Sequence, residues 1–116
     1  MKIHNQINYI EIPAKNIEVT KKFFSKVFGW SFVDYGTDYC SFSNDGIDGG
    51  FFKSELTVLT DSGSALIVLY SSELEVTQSK IVESGGTIIK SIFSFPGGRR
   101  FHFTDPNGNE FAVWSE

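Results

Sequence analysis

The chain has 116 residues, enough for one domain with a core of its own. Hydrophobic residues make up 41% and aromatic residues 16%, which excludes a disordered chain. A net charge of −4 with no basic run excludes a nucleic-acid binder, and the single Cys40 excludes an internal disulfide and a cysteine-based zinc cluster.

No stretch approaches the ~18 consecutive apolar residues of a membrane span, and Met1 to Gln6 lack the apolar core of a signal peptide. A soluble, cytoplasmic protein with no membrane partner is expected. The first strand signal runs from Ile7 to Pro13. Asn16 is a suitable N-cap for a helix over Ile17 to Phe28, in which Thr20, Phe23, Phe24, Val27 and Phe28 form one apolar stripe. Gly29 ends it. Trp30 to Tyr35, Tyr39 to Ser43 and Gly49 to Lys53 read as three short strands. Residues Ser54 to Ser64 form a linker whose Leu56-Val58-Leu59 cluster should pack, against the first helix.

The second half repeats this order. Ala65 to Tyr70 is an apolar strand, Ser72 is placed to cap a helix from Glu73 to Ser84, and Gly85-Gly86 ends it. Thr87 to Phe93, Arg99 to Thr104 and Glu110 to Trp114 follow as strands, with Asp105-Pro106-Asn107-Gly108 as the turn between the last two. A shift of 57 residues (17 to 74) lays Ile17-Glu18-Val19-Thr20 on Leu74-Glu75-Val76-Thr77 and Gly29 on Gly86. The chain is therefore read as two β-α-β-β-β units, about residues 5–53 and 65–116, in an α+β fold. One helix cannot cover both faces of a four-stranded sheet, so the second face needs another partner.

Two stretches carry a resemblance. Tyr9-Ile10-Glu11-Ile12-Pro13, followed by Phe23-Phe24 and Val27-Phe28-Gly29-Trp30, resembles the opening of vicinal oxygen chelate proteins. Phe103-Thr104-Asp105-Pro106-Asn107-Gly108-Asn109-Glu110 resembles their closing hairpin. This superfamily includes glyoxalase I, extradiol dioxygenases and the fosfomycin and bleomycin resistance proteins. The resemblance spans residues 1–116 as one such domain. It implies a curled, partly open barrel-like sheet around a cavity, with the units paired either within one chain or across a dimer; the broad apolar sheet edge that a 116-residue chain leaves to cover favours a homodimer.

The metal enzymes of that superfamily carry His, Gln and Glu ligands on the first and last strand of each unit. Carried over by position, the slots fall on Tyr9, Gly50, Leu66 and Ala112. Gly, Leu and Ala offer no side-chain donor, and a neutral phenol is a poor ligand, so no metal and no cofactor is expected. Period-two alternation puts Tyr9, Glu11, Tyr39, Phe52, Tyr70, Arg100, His102, Glu110 and Trp114 on the cavity side. An aromatic lining with a few charges suits a planar or cationic small molecule.

Each of these residues also has a plain structural role open to it. Glu11 and Arg100 are expected to be able to pair with one another, His102 to be a hydrogen-bonded strand residue, and Tyr9, Tyr70 and Trp114 to fill the space of absent ligands. Pro96-Gly97-Gly98-Arg99-Arg100 reads as a turn with charged edges, and Cys40 as an inert core thiol. The function expected is metal-independent binding of a small molecule. The alternative is an enzyme: either a lyase or isomerase of glyoxalase I type acting on a small carbonyl substrate, which needs a metal and is opposed by the missing ligands, or a metal-free proton transfer with Glu11 or His102 as base and Arg100 as electrostatic stabiliser.

Overall fold

A computed structural model describes residues 2–44 and 46–116. They divide into two compact units, the first ending at Leu56 and the second beginning at Thr57. Unit 1 contains β1 (Tyr9–Ala14), α1 (Ile17–Phe28), β2 (Ser31–Asp34), β3 (Tyr39–Ser43) and β4 (Asp48–Lys53). Unit 2 contains a 3₁₀ turn (Thr60–Ser62), β5 (Ile67–Tyr70), α2 (Leu74–Glu83), β6 (Thr87–Phe95), β7 (Gly98–Thr104) and β8 (Glu110–Ser115). The two sheets have the same mixed topology, β1-β4-β3-β2 and β5-β8-β7-β6. In each, the first strand pairs in parallel with the last, and the rest are antiparallel. The fold is α+β, built from two β-α-β-β-β units.

Helix α1 follows directly from its sequence. Asn16 accepts from the Val19 amide at 3.0 Å, and Ile17, Thr20, Phe23, Phe24 and Val27 are buried. Gly29 takes φ 73°, a left-handed conformation that glycine adopts without a Cβ penalty, and its amide reaches the Ser25 carbonyl at 2.9 Å. The stripe packs on one face of the sheet, where the Phe24 and Phe51 ring centroids lie 5.3 Å apart and Cys40 and Phe42 are buried. Cys40 is thus a core thiol, and burial raises its pKa.

Helix α2 starts differently from expectation. Ser72 is not its cap: Glu73 stands at the N-cap position without a side-chain bond. Ser71 Oγ instead accepts from the Glu73 amide at 3.0 Å and pairs with Thr77 Oγ1 at 2.7 Å. Leu74 and Ile81 meet a sheet face made of Phe101, Phe103, Phe111 and Val113, all buried. Arg99 lies on this helix side of β7 and grips Glu75 of α2 at 2.7 and 3.3 Å.

The linker also departs from expectation. Its 57–60 stretch binds the β7–β8 end of unit 2. Val58 N–H donates to Asn109 Oδ1 at 2.8 Å, and the Glu110 amide donates to the Val58 carbonyl at 2.8 Å. Asn109 is fully buried, so its amide side chain is the means by which the linker's backbone is satisfied. Among the described residues, no helix is long and apolar enough to cross a membrane.

Candidate functional site

Each sheet carries its helix on one face. The other face, called here the helix-free face, carries the sequence-nominated residues, in two groups that belong to separate units.

In unit 1 the group is Tyr9, Glu11, Tyr39 and Phe52. Register sets it: Glu11 lies across from Gly50, Gly50 from Ser41, and Tyr39 from Phe52. Tyr39 Oη donates to Glu11 Oε2 at 2.9 Å, and the hydroxyls of Tyr9 and Tyr39 lie 2.5 Å apart. A phenol has one hydrogen to give, and that of Tyr39 is committed to Glu11. Tyr9 must therefore donate to Tyr39, and a directed chain runs from Tyr9 through Tyr39 to Glu11. Burial, then the bonds with Tyr9 and Glu11, hold the Tyr39 hydroxyl well above the ordinary phenol range, so it stays protonated.

Gly50 permits this arrangement. The Tyr39 phenol lies over it so closely that a Cβ at residue 50 would collide with the hydroxyl and the ring carbon that bears it. Beside the chain is a hollow of about 420 Å³ lined by Tyr9, Tyr35, Tyr39, Ser41, Ser43 and Asp48.

In unit 2 the group is Tyr70, Arg100, His102, Glu110 and Trp114. Arg100 pairs with Trp114, Tyr70 with Trp114, and His102 with Ala112 across the sheet. His102 and Glu110 are only 5% and 7% exposed, and His102 Nδ1 lies 2.8 Å from Glu110 Oε2. The other carboxyl oxygen accepts from the Thr60 amide and hydroxyl, both at 2.9 Å. Burial opposes ionisation of Glu110, but the bonds from His102 and Thr60 outweigh it and leave its pKa lowered. A carboxylate there requires the hydrogen on His102 Nδ1, which leaves Nε2, itself buried, with no partner.

Arg100 is half-buried. Its guanidinium carbon lies 5.3 Å from the Phe93 centroid and 5.5 Å from that of Phe95. Tyr70 and Trp114 meet edge to face at 5.1 Å, with the Tyr70 hydroxyl on Glu116 at 2.9 Å. A shallow pocket of about 300 Å³ is lined by Val68, Phe95, Gly97, Arg100 and Trp114.

Sequence reasoning missed Thr60, Phe93 and Phe95. Thr60 reaches Glu110 only because the linker folds back. Phe95 belongs to β6, which runs two residues past its expected end. The Pro96-Gly97 pair between Phe95 and Gly98 was the signal for a tight hairpin there. Each side chain of the Glu11–Arg100 pair considered above has neighbours in its own unit: Glu11 has Tyr39, and Arg100 has the two Phe rings.

The profile described as the Glyoxalase/Bleomycin resistance protein/Dioxygenase superfamily matches residues 6–113. The chain belongs to this superfamily. A glyoxylase-like domain-containing protein of Didymella fabae is 31% identical over an alignment of 130 residues, covering 97% of this chain and 95% of that protein. Among solved structures, a superfamily enzyme from Burkholderia phytofirmans is similar at TM-score 0.79 and 16% identity, covering 93% of this chain and 96% of that one. A variant of the fosfomycin resistance protein FosX from Listeria monocytogenes, complexed with Mn(II) and a dihydroxypropylphosphonic acid, has TM-score 0.78 and 16% identity. The match covers 98% of this chain and 91% of the FosX chain.

The residues that positional carry-over assigns to the superfamily's metal ligands, Tyr9, Gly50, Leu66 and Ala112, do not fit a divalent cation. The Tyr9 hydroxyl is spent on Tyr39, and Gly50 lies under the Tyr39 phenol. Leu66 and Ala112 bring no donor. Two residues from Tyr9 on β1 lies Glu11, engaged by Tyr39, and two residues from Ala112 on β8 lies Glu110, engaged by His102 and Thr60. Among the described residues, no group of three or more His, Cys, Asp or Glu is placed to hold a metal ion.

Two outcomes follow. Gly50→Ala should displace Tyr39 and lower stability by about 1–3 kcal/mol in urea denaturation, as overpacking does; an unchanged midpoint would contradict the Tyr39 placement. The second concerns acid. Glu110 has a folded pKa below its ordinary 4.5, so its contribution is complete above that pH and is lost as pH falls through the folded value. Wild type should therefore lose stability more steeply than Glu110→Gln as pH falls below 4.5. Parallel acid limbs would show that the His102 and Thr60 bonds do not stabilise the carboxylate.

Proposed function

We propose that this superfamily member is a metal-independent small-molecule-binding protein, working as a cytoplasmic homodimer, whose ligand rests on the helix-free faces. The observation that carries the reading is the Tyr39 phenol over Gly50, joined to Tyr9 and Glu11. A metal enzyme needs an open coordination position and several charged or imidazole donors there. Here that space holds a protonated hydroxyl chain. Aromatic walls with a few fixed polar groups are what a binding pocket requires. Tyr9, Val33 and Tyr35 are exposed in unit 1, and apolar surface of this kind supports coverage by a second copy.

One observation favours a second reading, a metal-free lyase or isomerase acting on a small carbonyl compound. The hydroxyl chain ends on the Glu11 carboxyl, which would take a proton delivered through Tyr39. Isothermal titration of chelator-treated protein with aromatic acids, aromatic amines and neutral aromatics separates the readings. Binding predicts that at least one class saturates one site per chain, with the same affinity with or without chelator. No saturation by any class, or binding restored only by added metal, would contradict it. Turnover of a small dicarbonyl that is lost in a folded Glu11→Gln variant would move the enzyme reading to first place.

A further inference from the structure

We propose that the helix-free face of unit 2 recognises the carboxylate of an aromatic acid, with Arg100 as its anchor. This rests on the small-molecule-binding reading and names the class of ligand.

Arg100 is an uncompensated cation among the described residues. Arg99, one residue away and on the opposite face, has Glu75 as a two-point partner. Arg100 has no carboxylate among the described residues; its neighbours are the Phe93 and Phe95 rings, and its Nε–H is buried without an acceptor. Ring faces stabilise a cation, but they do not satisfy an N–H donor. A buried donor without an acceptor is destabilising. An arrangement that buries one N–H of a half-buried guanidinium and withholds the counter-charge is complete only when an anion arrives.

The same strand supplies a second unsatisfied atom. His102 lies two residues along β7 on the same face, and its Nε2 is also buried and unpartnered. Among the described residues, the buried side-chain polar atoms lacking a partner are Arg100 Nε and His102 Nε2. Buried groups of this kind call for an explanation. The Arg100 donor is the one an anion satisfies; with its hydrogen on Nδ1, His102 Nε2 is an acceptor and calls for a donor from elsewhere on the ligand.

The surroundings indicate what carries the anion. The pocket of about 300 Å³ beside Arg100 has Val68, Phe95 and Trp114 for walls and no acidic lining residue. Its size suits one or two fused rings, and its walls suit an aromatic face. A planar carboxylate matches the guanidinium fork with two parallel hydrogen bonds. An arylmethylammonium ion would meet Arg100 with like charge.

The test is calorimetric titration of the full chain, with chelator present, using 1-naphthoate and indole-3-carboxylate, their primary amides and 1-naphthylmethylamine. The acids should saturate one site per chain, and the amides should bind at least tenfold more weakly. Arg100→Gln should weaken the acids at least tenfold, and Arg100→Lys by less. Since Arg100→Gln could perturb the sheet, ¹⁵N-labelled wild-type protein gives an independent readout: the Arg100 Nε–H resonance should shift on addition of the acid and not of the amide. Acids and amides binding alike, an unshifted Arg100 resonance, or unchanged affinity in folded Arg100→Gln would overturn the proposal. Amines or amides binding where the acids do not would overturn it and leave the small-molecule-binding reading standing. Failure of every compound would remove both.

Discussion

Each four-stranded sheet has one helix, and this constrains where everything else goes. Strand side chains alternate between faces, so the face under the helix takes the large apolar residues and the other face receives what remains. In unit 1, Phe51, Phe42 and Cys40 go beneath α1; in unit 2, Phe101, Phe103, Phe111 and Val113 go beneath α2. Most of the polar side chains nominated from the sequence are thereby gathered on the helix-free faces, where His102 and Glu110 are themselves buried.

The two units use that face in opposite ways. In unit 1 the polar groups satisfy one another: Tyr9 gives its hydrogen to Tyr39, and Tyr39 to Glu11. Such a chain is closed, and it takes up Tyr9 and Gly50, the two unit 1 residues that carry-over assigns to metal ligands. In unit 2 satisfaction is incomplete. Glu110 is well supplied, with bonds from His102 and Thr60, yet Arg100 Nε and His102 Nε2 have nothing. A closed network holds a shape, whereas an open one has hydrogen bonds left to make with a ligand.

Much of the fold was legible because it rests on local signals repeated at one offset. Asn16 and Gly29 bound α1 as their chemistry requires, and Ile17 and Leu74, 57 positions apart, both begin helices. Face assignment was equally readable, since period two places Tyr9, Glu11 and Tyr39 together without knowledge of distant contacts. What escaped was set by chain return. Nothing near Thr60 announces that it meets Glu110, fifty residues on, or that Val58 meets Asn109. The register shifts of β6, between Ile88 and Lys90 and between Lys90 and Phe93, likewise bring Phe93 opposite Arg100 in a way simple alternation does not foresee. Ser72 was a plausible cap, but Ser71 sits where the turn before α2 needs an acceptor.

In unit 1 the hydroxyl chain leaves neither Tyr9 nor Gly50, the residues that carry-over assigns to metal ligands, free to hold a divalent cation. Native mass spectrometry tests this most directly, on protein prepared without chelator and again after addition of Zn²⁺, Ni²⁺ and Mn²⁺. The expected result is a dimer whose mass does not change by a stoichiometric metal under any of these conditions. One tightly held ion per chain or per dimer, lost on Tyr39→Phe or Glu11→Gln substitution, would contradict it.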